Sequence, residues 1–405
     1  MKFQKLTHGV GIAASAVALL GSTQNSFGQT APLGPDALNR SEIRPGARAL
    51  GMGGTSLLAV DDASAAAWNP AAVLRSSRFS VTASAVGRTD NVNVQDIQDV
   101  ADDIQDLVDV LDTSSPQVSD VQPAFNSVYN FAIKSGANVG GNPARLTGTV
   151  TPVVGASFGS YGIVTHSGLI GDATLGVTGT AVGTRTLSGN SGALALSTVA
   201  IPFARPLRVA GPARTDLGTI GVSLKFVRAD YAAATFTANE ASNTITGISF
   251  DRVSDQRPDL DIGYITPTLP KYFNAQGAVV IRNLLSPRFS LPQTVSGSFG
   301  AVPPVGGNFN FRQRPQIDAG VLVPIPNHPA IVAAELHNLT ESNGGNMSIH
   351  IGGEYRVHRM LALRAGIDRN QLVGGFGLSL GPARLDLAVG TNVQERFALG
   401  FTLRG

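Results

Sequence analysis

The sequence contains no cysteine in 405 residues and only one tryptophan. Without thiols there is no disulfide framework, no thiolate metal site and no cysteine nucleophile. Charged residues are few, at 14%, and the formal net charge of +2 comes from Lys2 and Lys5 near the N-terminus. The rest of the chain is close to neutral, which excludes a basic surface for nucleic acid. Beyond the N-terminal segment, no apolar run reaches the roughly 20 residues that a membrane-spanning helix needs.

The N-terminus has the order of a secretory signal peptide. Lys2 and Lys5 precede an apolar stretch over residues 10–20, and a polar segment with small residues follows up to Gly28. We predict cleavage after Gly28, so that residues 1–28 form the signal. The apolar stretch is shorter than a spanning helix of roughly 20 residues, which disfavours an N-terminal membrane anchor. No cysteine follows it, so a lipid-anchored lipoprotein is excluded.

From residue 125 onward, strand-length segments alternate with clusters of Gly, Pro, Asn and Asp. In residues 347–358 and 397–404, large apolar side chains alternate with small or polar ones. These segments reach the roughly 9 to 11 residues of a tilted membrane crossing, and charges fall opposite the large aliphatics. Soluble sheets more often have shorter strands. The pattern favours an all-β antiparallel transmembrane β-barrel, with a first strand at 78–88, over a secreted soluble β protein.

Residues 29–75 lie between the signal peptide and the first strand. They are rich in Gly, Ala and Pro and have no sustained periodicity. Only a short helix is indicated, over residues 62–67, and Pro70 would end it. We interpret residues 29–75 as a hatch or plug, and residues 76–405 as the barrel.

The segment 94–111 has a different pattern from the rest of the chain. Apolar residues recur there at three-and-four spacing, and aspartates fill the opposite face. This spacing predicts an amphipathic helix in the first long loop. Its acidic face argues against adsorption to anionic lipid. Two interpretations remain open: a loop helix packed on the mouth of the barrel, or a lid that gates the lumen or docks a partner.

Three N-terminal segments, residues 46–54, 61–65 and 68–71, resemble the signature of the FadL/PorV superfamily of outer-membrane β-barrels. Strand motifs resembling those of the PorV-like and conjugal-transfer-associated branch follow at 259–264, 281–286, 352–357, 361–366 and 374–378. The resemblance implies a barrel of about 14 antiparallel strands in the cell outer membrane, with the hatch inside or beneath it. It also implies that the protein passes or captures a cargo and is not an enzyme.

The hatch contains the candidate gate. Its glycines are explained by close backbone packing within a confined barrel, where a side chain would clash. Pro70 biases Asn69 toward extended geometry, and we expect Trp68 to wedge the hatch against the wall. Either this turn is purely structural, or it belongs to a substrate gate; the adjacent aspartates could meet lumen arginines. The candidate residues are Gly51, Gly53, Gly54, Asp61, Asp62, Trp68, Asn69 and Pro70.

Histidines, carboxylates and arginines accumulate on the predicted lumen face. One interpretation is a zinc site of imidazole and carboxylate ligands. The favoured interpretation is a hydrated polar wall of charge pairs, to which Asp368 also belongs, with no metal and no cofactor. Motifs for nucleophilic, phosphate-binding or zinc-protease chemistry are absent from the sequence. The predicted wall residues are Glu335, His337, His350, Glu354, Arg356, Arg364, Arg384 and Asp386.

Two functions are favoured by these features, ahead of a third class, a structural or adhesive surface protein. The first is a conduit for small hydrophobic molecules, as in FadL-type transporters, which requires an apolar pocket and a displaceable hatch. The second is a PorV-like accessory barrel that binds exported proteins for secretion or surface delivery. The expected partners are therefore outer-membrane lipid and either a hydrophobic small molecule or an exported protein, and not nucleic acid.

Overall fold

The computed structural model describes residues 46–90, 144–179, 184–208, 216–239, 244–293, 307–343, 345–391 and 394–405, and scattered positions between 123 and 141. The predicted signal peptide at 1–28 and the predicted acidic helix at 94–111 lie outside these residues. Within them, no helix has the length and apolar character needed to cross a membrane.

Fourteen strands form a closed antiparallel barrel, as predicted. Within the barrel, consecutive strands pair from β1 to β7 and from β10 to β16. Strand β7 pairs with β10, and β16 closes the barrel by pairing with β1. Strands β8 and β9 form a separate two-stranded hairpin that the sequence analysis did not anticipate. The bounds are β1 Phe79–Asp90, β2 Ala144–Phe158, β3 Tyr161–Thr178, β4 Thr186–Arg208, β5 Asp216–Asn239, β6 Thr244–Ile265, β7 Gln276–Arg282, β8 Arg288–Gln293, β9 Gly307–Arg312, β10 Gln316–Pro324, β11 Ala330–His337, β12 Ser348–His358, β13 Leu361–Asp368, β14 Gln371–Leu380, β15 Ala383–Thr391 and β16 Gln394–Arg404.

The alternation in the sequence separates the two faces of the wall. On β16, Phe397, Leu399 and Phe401 point outward and are about half exposed, whereas Ala398 and Thr402 are buried inside. The same division holds on β12, where isoleucines face outward and His350 faces inward. An apolar outer surface over a polar interior is the arrangement of membrane barrels.

The wall differs greatly in height around the barrel. Strand β5 has 24 residues and β6 has 22, whereas β13 has only 8. On the outside of β5, Leu224 and Phe226 are exposed apolar residues, and the next outward residues, Arg228 and Asp230, form an ion pair. The apolar outer band therefore ends near Phe226, and the tall strands β4–β6 continue beyond it.

The described part of the hatch, residues 46–75, runs inside the barrel. It contains the α-helix α1 (Ala47–Gly51) and the 3-10 helices η1 (Ala63–Ala67) and η2 (Pro70–Arg75); a third 3-10 helix, η3 (Pro270–Tyr272), lies in the turn before β7. The expected short helix is therefore present as η1, and it ends before Pro70. Pro70 also begins η2, because the first helical position needs no backbone N–H donor.

Candidate functional site: the hatch and the lumen wall

One half of the hatch interface is mainly apolar. Met52, Leu57 and Leu58 are fully buried, and Val73 of η2 is equally inaccessible. These side chains pack against inward-facing residues of β2 to β11, so that hatch and wall form one continuous apolar core. The wall residues in this core are Val153, Val164, Ala204, Ile265, Ala278, Val280, Leu322 and Ala333.

The other half of the interface is held by ion pairs from the hatch to the wall. Arg384 Nη1 on β15 lies 2.8 Å from Asp61 Oδ1, and the same guanidinium contacts Asp62. Asp61 also contacts Arg48 of α1 and Arg404 of β16. The expectation that the two aspartates meet lumen arginines is met by Arg384 and Arg404.

This network continues through the wall itself. Arg48 Nη2 donates a hydrogen bond of 3.0 Å to Glu354 Oε1 on β12. Glu354 Oε2 accepts from Arg364 Nε at 2.8 Å, and Arg364 Nη2 lies 2.8 Å from Asp386 Oδ1. Since Asp386 also pairs with Arg384 at 2.7 Å, the wall strands β12, β13 and β15 share one chain of charge pairs. The predicted charge-paired wall is thus present in the structure.

Asp61 and Arg48 stay ionised because each faces opposite charge. Burial alone would raise the pKa of Asp61, but the positive charges of Arg48, Arg384 and Arg404 hold that pKa well below its usual range. Burial would likewise lower the pKa of Arg48, but Asp61 and Glu354 reverse this and raise it. The charged state is therefore the stable state of this anchor over the physiological pH range.

Two hatch glycines lie where a side chain has no room. Gly53 has φ +72°, and a Cβ there would lie 2.8 Å from the carbonyl oxygen of Ile367 and would overlap that of Ile351. Gly54 has φ +82°, and its Cβ would lie 2.7 Å from His350 Nδ1. At Gly51, by contrast, the nearest atom would be at 3.4 Å, so space alone does not require glycine there.

The predicted polar wall binds the backbone of the hatch as well as the charged side chains of the hatch. Glu335 Oε1 accepts hydrogen bonds from the backbone N–H groups of Ser56 at 2.9 Å and Leu57 at 2.8 Å. His337 lies 2.7 Å from Glu335 Oε2 and stacks on His350 with ring centroids 3.9 Å apart. Within the described residues, no group of three or more His, Asp or Glu side chains is placed to hold a metal ion, so the zinc interpretation gains no support.

Trp68 and Asn69 hold the turn between η1 and η2. Trp68 is 6% exposed, and its ring centroid lies 5.6 Å from that of His166 on β3. Asn69 is extended, as its position before Pro70 predicts. Its Oδ1 accepts from Ala71 N at 3.0 Å and its Nδ2 donates to Leu57 O at 3.2 Å. The turn is therefore a fixed element within the hatch, whether or not it also gates a substrate.

Arg356 differs in position from the other predicted wall residues. It has the inward parity of Glu354 and lies 3.6 Å from that carboxylate, but its side chain is 61% exposed. Alternation along a strand fixes the face of a residue and not its depth, and Arg356 lies near the end of β12. It belongs to the rim of the barrel and not to the enclosed wall.

The structure also brings together charged residues that the sequence analysis did not propose as a site. Lys225 Nζ on β5 lies 2.7 Å from Asp259 Oδ2 and 2.6 Å from Asp261 Oδ1 on β6. Arg282 on β7 donates from Nε to Asp318 Oδ2 on β10 at 2.9 Å. The sequence did contain a signal for this cluster. Two aspartates occupy alternate positions of one strand, and the neighbouring strand carries one inward lysine.

Beyond Lys225 the inner face of the tall wall becomes apolar and aromatic. Val227, Ala229 and Tyr231 continue along β5 from Lys225 and are buried. The β8–β9 hairpin covers them with Phe289 and Phe311, whose rings stack with centroids 4.7 Å apart. The lumen therefore has an aromatic cluster above the paired charges and the hatch below them.

A closed membrane-type barrel with an N-terminal segment folded into its lumen defines the class of this protein. Residues 66–375, more than half of the chain, match the family described as F plasmid transfer operon, TraF, protein. The chain therefore belongs to that family. The comparison with curated proteins gave no match.

Solved structures show the same architecture. The chain is similar to the toluene transporter TbuX of Ralstonia pickettii, with a TM-score of 0.50, 14% identity, and coverage of 89% of this chain and 98% of that one. It is also similar to the deltaS2S3 mutant of the monoaromatic hydrocarbon channel TodX, with a TM-score of 0.51, 12% identity, and coverage of 89% and 99%; TodX is a Pseudomonas putida protein. At these identities the similarity establishes the fold.

Proposed function

We propose that this protein is an outer-membrane channel of the FadL type, through which small hydrophobic molecules pass, and that the hatch is its gate. Its role is transport and not catalysis. The observation that carries the proposal is the division of the hatch interface into an ion-paired half and an apolar half. Apolar contacts are non-directional, so an apolar molecule can replace them, whereas the ion pairs keep the hatch attached.

Three further features support the proposal. The outward apolar band over a polar interior suits insertion in lipid. The aromatic cluster formed by Tyr231, Phe289 and Phe311 supplies an apolar surface on the way to the hatch. The structurally similar proteins TbuX and TodX are described as a toluene transporter and a monoaromatic hydrocarbon channel.

A disulfide staple tests whether the apolar half of the hatch must move. A Cβ at Gly162 on β3 would lie 3.3 Å from Val73 Cγ2 of η2, so a sulfur at position 73 is within reach of a cysteine at position 162. Because the chain has no cysteine of its own, the double variant Val73→Cys/Gly162→Cys offers only this pair.

The assay is uptake of the neutral dye N-phenyl-1-naphthylamine by cells whose lipopolysaccharide outer membrane otherwise excludes it. We expect the oxidised staple to reduce uptake to the level of cells without the protein, and dithiothreitol to restore it. The single variant Val73→Cys is the control for the substitution, and nitrocefin hydrolysis reports non-specific leakage. Undiminished dye uptake through a fully oxidised staple would contradict the proposal.

The family description favours a second candidate function, an accessory barrel that serves exported proteins, because it names a plasmid transfer operon. Such a role would use the rim and outer loops and would not require the hatch to move. If deletion in the native host abolishes plasmid transfer or surface delivery of proteins, and the oxidised stapled protein restores it, the accessory function is selected over the conduit.

A further inference from the structure

We infer that the lumen admits uncharged apolar molecules and rejects their carboxylates, because the two cations between the aromatic cluster and Trp68 are already neutralised by aspartates. This inference rests on the proposed conduit function and specifies its substrate class. It is carried by Lys225 and Arg282, which lie between the aromatic cluster and Trp68, and by the three aspartates that face them.

The two cations are buried and closely paired. Lys225 Nζ contacts two carboxylates, at 2.6 and 2.7 Å, and lies 2.8 Å from Asn283 Oδ1. Arg282 contacts Asp318 at 2.9 Å, and its guanidinium lies 5.7 Å from the centroid of the Trp68 ring. All five ionisable side chains are at most 8% exposed. Three carboxylates thus face two cations, so no positive charge is left over for an anionic ligand.

The strand register places these charged groups side by side on the inner face of β5, β6 and β7. Lys225 pairs with Asp259 across β5 and β6, and the pairing of Ile262 with Ile281 places Asp261 beside Arg282 across β6 and β7. From Lys225, the same inward parity continues to the buried residues of the aromatic cluster. A molecule that follows this face from the cluster to the hatch must therefore pass the compensated charges.

A carboxylate on that path meets a net repulsive surface. To bind either cation it would have to displace an aspartate that is already in place, and charge interactions are strong where water is excluded. A neutral aromatic or aliphatic molecule has no such cost and gains the apolar contacts of the cluster and of Trp68. Selectivity for uncharged cargo therefore follows from pairing and not from pore size.

Trp68 provides a local reporter, since it is the only tryptophan in the chain. The probes are 4-bromotoluene and 4-bromobenzoate, which have nearly the same shape and differ in charge, and whose bromine quenches tryptophan fluorescence at contact. With the purified detergent-solubilised protein, we expect 4-bromotoluene to quench Trp68 and 4-bromobenzoate to leave it unchanged at the same concentration.

The variant Asp318→Asn removes the charge that compensates Arg282 and keeps an oxygen that can accept the N–H of Asn338. We expect its half-quenching concentration for 4-bromobenzoate to fall by about tenfold to a hundredfold, the range of a charge-assisted hydrogen bond. Asp261→Asn, which partly uncovers Lys225, should act in the same direction. Asp230→Asn makes the same charge change on the outside of β5 and should behave like the native protein.

The outcomes separate the two proposals. Quenching of the native protein by both probes, or variants that bind 4-bromotoluene but gain no response to 4-bromobenzoate, would overturn the selectivity and leave the conduit intact. A native protein that responds to neither probe would count against the conduit itself. Folding of each variant is checked by the shift in electrophoretic mobility between unheated and heated samples.

Discussion

At the scale of single residues, Gly53 shows how closely the hatch is fitted to the wall. Its positive φ disfavours any L side chain, and the wall carbonyls on β12 and β13 leave no space for one. The opposing wall positions Gly352 and Gly366 are also glycines, and a Cβ on either would overlap the backbone of Met52 or Gly53. Hatch and wall therefore meet backbone to backbone at this point.

We predict that Gly53→Ala destabilises the hatch by about 1–3 kcal/mol, the cost of a strained backbone, with steric overlap in addition. Gly374→Ala on β14 is the control, because its Cβ would have only one neighbour, at 3.6 Å. The measurement is the temperature at which the unheated-form gel band is lost. Equal temperatures for both variants would show that the contact at Gly53 is not tight.

At the scale of elements, Asp61 anchors the hatch to two wall arginines, Arg384 on β15 and Arg404 on β16, and it also pairs with Arg48 within the hatch. The pKa of Asp61 is depressed in the folded protein, so its contribution is fully present above the unfolded pKa of about 4 and is lost as the pH falls through the folded value. The anchor should thus hold at neutral and mildly acidic pH.

We predict that the hatch of the native protein stays protected from hydrogen exchange between pH 7 and 5 and loses protection only below about pH 4. Asp61→Asn should lower hatch stability at pH 7 by about 1–3 kcal/mol, the value of hydrogen bonds to a charged group, and should lose this acid-induced step. Hydrogen exchange of residues 46–75 measures both effects. Superimposable pH profiles for the two proteins would rule out Asp61 as the anchor.

Elements also show what the sequence could and could not predict. The faces of β12 and β16 follow from alternation, because lipid and lumen impose a period of two on each strand. The β8–β9 hairpin was missed, because its short segments match barrel strands in pattern and only tertiary contacts distinguish them. Alternation likewise put Arg356 on the correct face but not at the correct depth.

For a similar reason, the sequence predicted the residues of the candidate site but not the partners that they contact. Gly53, Asp61 and Asn69 were identified from residue type and local spacing, because close packing, charge and the position before proline act locally. The wall partners of Gly53 and Asp61 come from strands about 300 residues away, such as Arg384 for Asp61. Pairings over that distance depend on the register of the closed barrel, which a single sequence does not specify.

At the scale of the whole molecule, the two halves of the hatch should respond differently to being fixed. A second staple can join α1 to β16, since a Cβ at Gly400 would lie 3.4 Å from that of Ala47, close to the roughly 3.5–4.5 Å of natural disulfides. This staple lies on the side where the ion pairs already hold the hatch.

We predict that the oxidised Ala47→Cys/Gly400→Cys protein keeps dye uptake close to the native level, while oxidised Val73→Cys/Gly162→Cys loses it. The comparison is made in the same cells, with and without dithiothreitol. Loss of uptake with both staples would mean that the whole hatch has to move as one body. The ion-paired half would then not stay attached to the wall during transport.

The unequal wall has a geometric consequence of its own. The difference between the 24 residues of β5 and the 8 of β13 corresponds to roughly 50 Å of extended chain. A tube cut obliquely has an elliptical opening that is larger than its bore. The barrel therefore presents its surroundings with an opening set by the slant of the rim, and β4–β6 form the high side of that slope, where the β8–β9 hairpin covers the apolar inner face.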